Sequence, residues 1–527
     1  MAYNVIIDNI VLLPGDPLSV LEEKLRQQYG IHGLEIVRIL RRSLDARKKN
    51  SIVYRYRVLV SVPDNSAVLL LRNPECSPYH QPQVLEFPSI PHDVRIPVIG
   101  AGPAGLFCAL ALSESGIASD IYERGRPVEQ RMKDIHELKI RGNLDSESNV
   151  LFGEGGAGTY SDGKLVSRSA SPESRWFFSK MVELGAPPRI LYDAKPHVGT
   201  DLLVPILKNL RKLLEKRGCL FHFNSRLSDV TIHEERLKSF KIGDDMMNAD
   251  PFMVLATGHS ARDVYKLLSR KGVFLQSKGF AAGIRVEHPV ELINSIQYGA
   301  GWEKLGLPAA EYRLTWKDGK TGKGVYSFCM CPGGEIINSS SEPAMLCTNG
   351  MSHSQRAGTH SNAAIVVTVQ PGDAGGDPLA GIEFQRMLES KAFQAGGGGF
   401  TAPAMALPDF VNKRRSQAAV PSTYAPAVNA TDLSSIFPGW MHQALSSGIK
   451  NFDKKMKGFY SSEGVCVGVE TRTSSPVRIT RDENFQSINC RGLMPVGEGA
   501  GYAGGIVSSA VDGIRAAKKI IAYYEEM

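Results

Sequence analysis

Gly100, Gly102 and Gly105 stand in G-x-G-x-x-G spacing within "RIPVIGAGPAGLFCALALSESGIASDIYERG", and Glu123 follows at the end of the next apolar run. Such a set can hold the pyrophosphate and ribose of a dinucleotide. The first glycine permits a tight turn, the second lets phosphate oxygens approach the backbone, and the third lets helix pack on strand. Pro103 and Ala104 would open the helix whose N-terminus faces that charge, and Arg124 follows the acid. Groups able to move protons or electrons occur elsewhere. Cys329 and Cys331 in "FCMCPGG" lie one residue apart and could exchange electrons. A C-x-C disulfide closes a small, strained ring, however, and nothing nearby clearly lowers either thiol pKa. Small side chains on a strand entering a turn are therefore the favoured reading. In "GIRVEHP", Arg285 and Glu287 share one face of a strand and His288 the other. An acid-binding arginine with a proton-moving histidine and a structural ion pair stay equally open. "VETRTSSP" adds Glu470 and Arg472. His353, Arg356 and His360 read as polar loop residues, with no pattern for a metal.

The elements that must position these residues follow from hydrophobic periodicity. Ile96 to Ile99 is a short buried strand, Leu106 to Leu112 opens a helix, and Gly116 breaks it before the strand "SDIYE". Residues 1–90 form a separate α+β unit: "YNVIIDNIVL", "LEIVRILRRSL" and "SIVYRYRVLVSV" are strands, and "PLSVLEEKLRQQYG" is an amphipathic helix. The proline-rich "ECSPYHQPQVLEFPSIPHD" reads as a linker. Residues 91–278 would be the first part of a nucleotide-binding domain, 279–463 an inserted substrate or cap domain, and 464–527 the second part. "AGGGGF" (Gly396 to Gly399) reads as a loop.

A chain of 527 residues exceeds one typical core, and its 43% hydrophobic and 22% charged composition is that of a soluble globular protein. No apolar run suffices for a membrane span, and the N-terminus lacks the basic region of a signal peptide. Eight scattered cysteines without framework spacing suit a reducing cytoplasm. A net charge of +7 is compatible with anionic ligands and is not diagnostic of nucleic acid.

G-x-G-x-x-G spacing occurs twice more. In "LFGEGGAGTYSDGKL" nothing continues as a helix, so Gly153, Gly155 and Gly158 mark a flexible loop. In "MPVGEGAGYAGGIVSSA" the glycines lie between strand and helix, but the 26 residues after Gly501 leave no room for a second ribose acid. They can serve as a second cradle for the ligand held at Gly100 to Gly105. "YERG", "VLATG" and "PVGEGAGYAGGI" resemble the FAD-binding fold of glutathione-reductase-like flavoproteins. More closely, "LFGEGGAGTYSDGKL", "KPHVGTD", "GIRVEHP", "SFCMCPGG", "NGMS" and "VETRTSSPVRITR" are similar to a family of largely uncharacterised bacterial FAD-dependent dehydrogenases.

The resemblance implies an α/β Rossmann-like FAD/NAD(P)-binding fold with a mixed β/α cap and a small N-terminal ferredoxin-like α+β domain. It implies that Glu123 binds the adenosine ribose, and that Gly155, Gly156, Gly158, Thr159 and Ser161 approach flavin or pyrophosphate with backbone donors. Gly258 would mark the return crossing, and Glu498, after Gly497, would meet ribityl hydroxyls where many relatives have Asp. Gly504, Gly505 and Ile506 would aim a helix N-terminus at the flavin's pyrimidine edge. Glu470 and Arg472, just before that loop, become the preferred substrate-side residues, with Cys331 and Arg285 as further catalytic candidates. The expected ligand is FAD, bound non-covalently, and the expected activity is an oxidoreductase or dehydrogenase acting on an unidentified small molecule. NAD(P)H would dock only transiently. Arg38, Arg41, Arg42, Arg47, Lys48 and Lys49 suggest an alternative, an RNA-associated, tRNA-modifying flavoprotein, although few aromatics interleave with them. A third reading makes the small domain a dock for a redox partner protein.

Overall fold

The computed structural model describes residues 2–527 except His32, His92, 167–170, Lys320 and 417–419. The chain forms a mixed α/β structure with both parallel and antiparallel sheets. Its first part comprises β1 (Ala2–Leu12), α1 (Ser19–Tyr29), β2 (Glu35–Asp45), β3 (Val53–Pro63), α2 (Asp64–Leu70) and β4 (Cys76–Pro78). The sheet order is β2-β3-β1-β4, and every neighbouring pair is antiparallel. In β1 the buried positions run Val5, Ile7, then Ile10, Leu12. The alternation slips by one residue, and a bulge with Asn9 at φ 60° absorbs the slip so that both halves face one core. Leu21 and Leu25, one helical turn apart, close that core from α1.

The second sheet is parallel, with the order Leu493–Pro495, Met253–Leu255, β5 (Arg95–Ile99), β6 (Ala118–Tyr122) and Leu220–His222. Between β5 and β6 runs α3 (Pro103–Glu114), buried from Ala104 through Leu112. A helix apolar all round has to be covered on every side. Helix Ile506–Glu525 covers α3 so closely that a Cβ at Gly513 would lie 2.0 Å from the Ala104 carbonyl oxygen.

The third sheet has seven strands, in the order Thr315–Lys317, Gly324–Cys331, His360–Val369, Phe280–Pro289, Val465–Glu470, Ala402–Ala406 and Val428–Ala430. Its central strands are buried almost throughout, and helices 380–396 and 439–455 supply the rest of a core of their own. Gly396 is the last residue of helix Ala380–Gly396, so the glycine run begins inside a helix. Among the described residues no helix is long and apolar enough to cross a membrane.

The β2–β3 hairpin touches both other units. Arg42 pairs with Asp193 at 2.7 Å, and its backbone exchanges hydrogen bonds with Tyr192 and Ala194. Ile52 belongs to the core under the seven-stranded sheet.

Candidate functional site

One cavity of about 420 Å³ lies where the parallel sheet meets the seven-stranded sheet. At one end its wall includes Gly100, Gly102, Pro103 and Ala104 with Glu123, Arg124 and Gly258. Gly156, Gly158 and Ser161 continue it, and Glu498, Gly504, Gly505 and Ile506 form the side opposite. Glu470, Arg472 and Cys329 close the far end. Gly105, Gly155, Thr159 and Gly497 stand behind the wall. A Cβ at Gly105 would lie 2.0 Å from the Gly100 carbonyl oxygen and one at Gly155 2.2 Å from Thr159 Oγ1, so packing within the protein requires these two glycines.

Both oxygens of Glu123 accept backbone N–H bonds: Oε2 from Ala101 at 2.9 Å, Oε1 from Gly125 at 3.0 Å and Gly153 at 2.9 Å. The carboxylate thus ties three loops together on the cavity wall. Arg124 pairs with Asp263 at 2.8 Å and lies over the Phe152 ring. The 149–160 loop is no loose segment. It is largely buried, contains a short 3₁₀ turn (Gly156–Tyr160), and wraps around Arg131, a residue that no motif marks. Arg131 is fully buried and donates to the carbonyls of Asn149 (2.8 Å), Val150 (2.8 Å), Glu154 (2.6 Å) and Gly156 (2.9 Å). Burial pulls its pKa down, and Tyr160, Glu123 and Glu154 oppose that pull.

The far end is built by four strands of the seven-stranded sheet. Arg285, fully buried, donates to Glu470 at 2.8 Å, to Asn362 at 2.8 Å, to the Cys329 carbonyl at 2.6 Å and toward Cys331 Sγ at 3.4 Å. Three sequence candidates, Glu470, Arg285 and Cys331, therefore meet at one place. Arg285 and Cys331 lie behind the wall, and Cys329 is the thiol that faces the cavity. Arg472 also reaches the wall, but its guanidinium is spent on Glu389 (3.0 and 3.1 Å) and Ser341 (2.6 Å), in a buried network with Arg262. Glu287 accepts from the Thr423 hydroxyl at 2.7 Å, and His288 Nε2 lies 2.8 Å from the Phe459 carbonyl. Neither touches the cavity.

Burial raises Glu470 to about 7 against the pull of Arg285, and raises Glu498 to about 7 against Lys278. His259, beside Glu498, is pushed down to about 3 by burial and by the charges of Arg472 and Arg262. Neutral at pH 7, it presents an Nε2 that finds no partner in the protein. The sequence reading found nothing to lower the thiols at 329 and 331. The fold corrects this for Cys329 alone: the adjacent Cys331 thiol, with Arg285 and Lys164 nearby, lowers the Cys329 pKa, while Cys329 and burial push Cys331 well up. Arg356 is likewise no surface residue, since it is buried against Asp162 and Glu311. Asp162 and Lys164, also on the wall, were legible only as part of "SDGKL", and His259 as the residue after "ATG".

These features fit an extended dinucleotide. Two helix N-termini, at Gly102 and Gly505, border one cavity and favour negative charge there. A Cβ at Gly258, Gly504 or Gly505 would meet no protein atom within 4 Å, so these glycines keep space for something other than the chain. The unpartnered His259 nitrogen adds a polar contact on the same wall. Among the described residues no group of three His, Cys, Asp or Glu could hold a metal ion.

Comparison with known proteins bears on this site. A family described as "FAD-dependent protein, C-terminal domain-like" matches residues 279–473, and a domain of unknown function matches residues 6–61. A protein of Clostridium beijerinckii, described as an uncharacterized protein, is 42% identical over 530 residues, covering 98% of this chain and 99% of its own. Among solved structures, the halogenase PltM in complex with phloroglucinol and FAD is 10% identical, covering 82% of this chain and 69% of that one at a TM-score of 0.37. CtdE in complex with FAD is 9% identical, covering 82% and 92% at a TM-score of 0.30. With the match to the FAD-dependent domain and a cavity whose donors fit it, the cofactor is FAD.

Proposed function

The chain belongs to one family with the clostridial protein that it matches over nearly its whole length, and on that premise we propose that it is an FAD-dependent oxidoreductase of the dehydrogenase type, acting on a small molecule. Bound FAD supplies two-electron chemistry at its isoalloxazine ring. We read the parallel sheet as a Rossmann-like nucleotide unit and residues 1–90, with strand order β2-β3-β1-β4, as a ferredoxin-like unit. Residues 279–463 would then be the cap, and the two flanking parts would complete the nucleotide domain.

The observation that carries the proposal is the continuity of the cavity. It begins at a glycine turn suited to pyrophosphate and ends at buried ionisable groups on the cap. At the first end, Gly102 to Ala104 and Gly156 to Gly158 offer backbone to phosphate, while Glu123 fixes the loops that carry them. Near the middle, Glu498 and His259 present acceptor and donor atoms for hydroxyls. At the far end, Glu470 titrates close to neutrality and can take or give a proton at its Oε atoms, with Arg285 fixing its position. Arg472, held by Glu389, shapes the wall instead of meeting substrate with a free guanidinium.

An anaerobic absorption titration of the purified protein with NADPH and with NADH tests the reading. Bleaching of the flavin band by one nucleotide supports a nicotinamide-linked dehydrogenase. A band unchanged by both directs the search to a protein redox partner or an organic donor. Absence of the band after FAD is added back overturns the proposal. The RNA-associated alternative has less behind it. Two of its six basic residues are paired within the protein, Arg42 with Asp193 and Arg47 with Asp45.

A further inference from the structure

We propose that Cys329 and Cys331 form a redox-active dithiol at the cap end of the cavity, with Cys329 as the attacking thiolate and a low-molecular-weight disulfide as the substrate class. The proposal rests on the reading above only for the return of electrons to the pair.

Geometry carries it. In a regular strand, residues i and i+2 lie about 6.6 Å apart at Cα, the upper end of what a disulfide spans. Strand Gly324–Cys331 is not regular here. Its pairing with His360–Val369 shifts register between Phe328 and Cys331, and Cys329 sits at φ 44°, uncommon for a residue with a side chain. The bulge turns Cys329 toward the cavity and keeps Cys331 behind it, with the Cys331 thiol donating to the Cys329 carbonyl at 3.4 Å. Arg285 donates to the Cys329 carbonyl and to Cys331 Sγ, placing a positive charge beside both. The other cysteines provide an internal contrast. Cys76, Cys108, Cys219, Cys347, Cys466 and Cys490 are all buried with pKa values raised by burial, and the buried Cys331 is raised too, by Cys329 beside it and by burial. Cys329 is the exception in both respects.

In the reaction, Cys329 Sγ attacks one sulfur of the external disulfide. A Cys329–substrate S–S bond forms, the substrate S–S bond breaks, and one thiolate leaves. Cys331 Sγ gives its proton to the thiolate just released and attacks Cys329 Sγ. The Cys329–Cys331 bond forms, and the second substrate thiolate leaves. Two electrons pass from the pair to the external disulfide, and the two protons of the dithiol end on the released thiols. Return to the dithiol takes two electrons and two protons, which dithiothreitol supplies in the test.

The test uses the full chain, reduced with dithiothreitol, desalted without oxygen and treated with 2-hydroxyethyl disulfide, followed by peptide mass spectrometry. Wild type should acquire a disulfide within the peptide that contains residues 329–331. Cys331→Ser should stall as a mixed disulfide at Cys329, and Cys329→Ser should leave Cys331 unmodified. A Cys331→Ser variant that forms no mixed disulfide overturns the proposal. Should the variants misfold, alkylation of wild type by iodoacetamide decides, with Cys329 expected to react about tenfold faster at pH 7 than any other cysteine. Equal rates overturn the proposal. The readout needs no nicotinamide, so failure here leaves the absorption titration standing, and failure there leaves the thiol result standing.

Discussion

The two ends of the cavity are each organised by a fully buried arginine, and the two arginines are employed differently. Arg131 is surrounded by carbonyl oxygens of one loop, whereas Arg285 faces a carboxylate, an amide and two cysteines drawn from separate strands. A guanidinium satisfied by carbonyls fixes backbone shape, and the carboxyl near it that burial raises to about 7, Glu154, stands behind the wall and accepts from the Val128 N–H. A guanidinium paired with Glu470 holds a group that changes charge near pH 7. One arginine holds a loop in shape, and the other holds a titrating carboxyl on the cavity wall itself.

Substitution can break this comparison. The largest effect is expected from Arg131→Met, which leaves several buried carbonyls without a donor. It should cost about 3–5 kcal/mol, seen as a lower urea midpoint and loss of flavin on gel filtration. A variant as stable as wild type would show that the loop holds its shape without the arginine.

Next comes pH. A carboxyl raised in the folded state keeps its proton where the unfolded chain has lost it. Its stabilising contribution is therefore complete below about 4.5 and disappears as pH rises through about 7. Glu470→Gln should flatten the fall in stability over that window by at most about 3 kcal/mol, measured as urea midpoints at pH 5 and pH 8. An unchanged slope would place the titration elsewhere.

Gly102→Ala sharpens the contrast between fold and ligand. Its Cβ would meet the protein only in ordinary contact at 3.9 Å, so folding should be nearly unaffected, while FAD affinity falls about tenfold, or about 1.4 kcal/mol, by flavin fluorescence titration. Gly105→Ala, aimed at a carbonyl oxygen, should instead destabilise the protein itself. The smallest effect belongs to a residue at neither end. Arg42→Ala removes a partly exposed pair with Asp193 and should lower stability by less than about 1 kcal/mol in the same urea assay.

The same contrast explains what was legible in the sequence. The nucleotide end is written locally: Gly100, Gly102, Gly105 and Glu123 carry their spacing within a few dozen residues, and the strands around them are continuous apolar runs. The Glu470 end depends on pairings across long separations. Arg285 and Glu470 were each visible, yet nothing in either segment says that the register of two antiparallel strands brings them to 2.8 Å. The bulge at Cys329 inverts a simple alternation argument for the same reason, because the extra residue matters only once a partner strand exists. Arg131 was invisible because a charged residue on an amphipathic helix ordinarily faces water, and only the returning 149–160 loop makes its burial tolerable.

The β2–β3 hairpin has a mechanical consequence. Through Arg42 it is fastened to the segment before helix Thr200–Lys216, and through Ile52 to the core beneath the seven-stranded sheet. The cavity walls belong to those two bodies, so the hairpin acts as a strut across the cleft. Any hinge motion that widened the cleft would have to slide or release one of the strut's two feet.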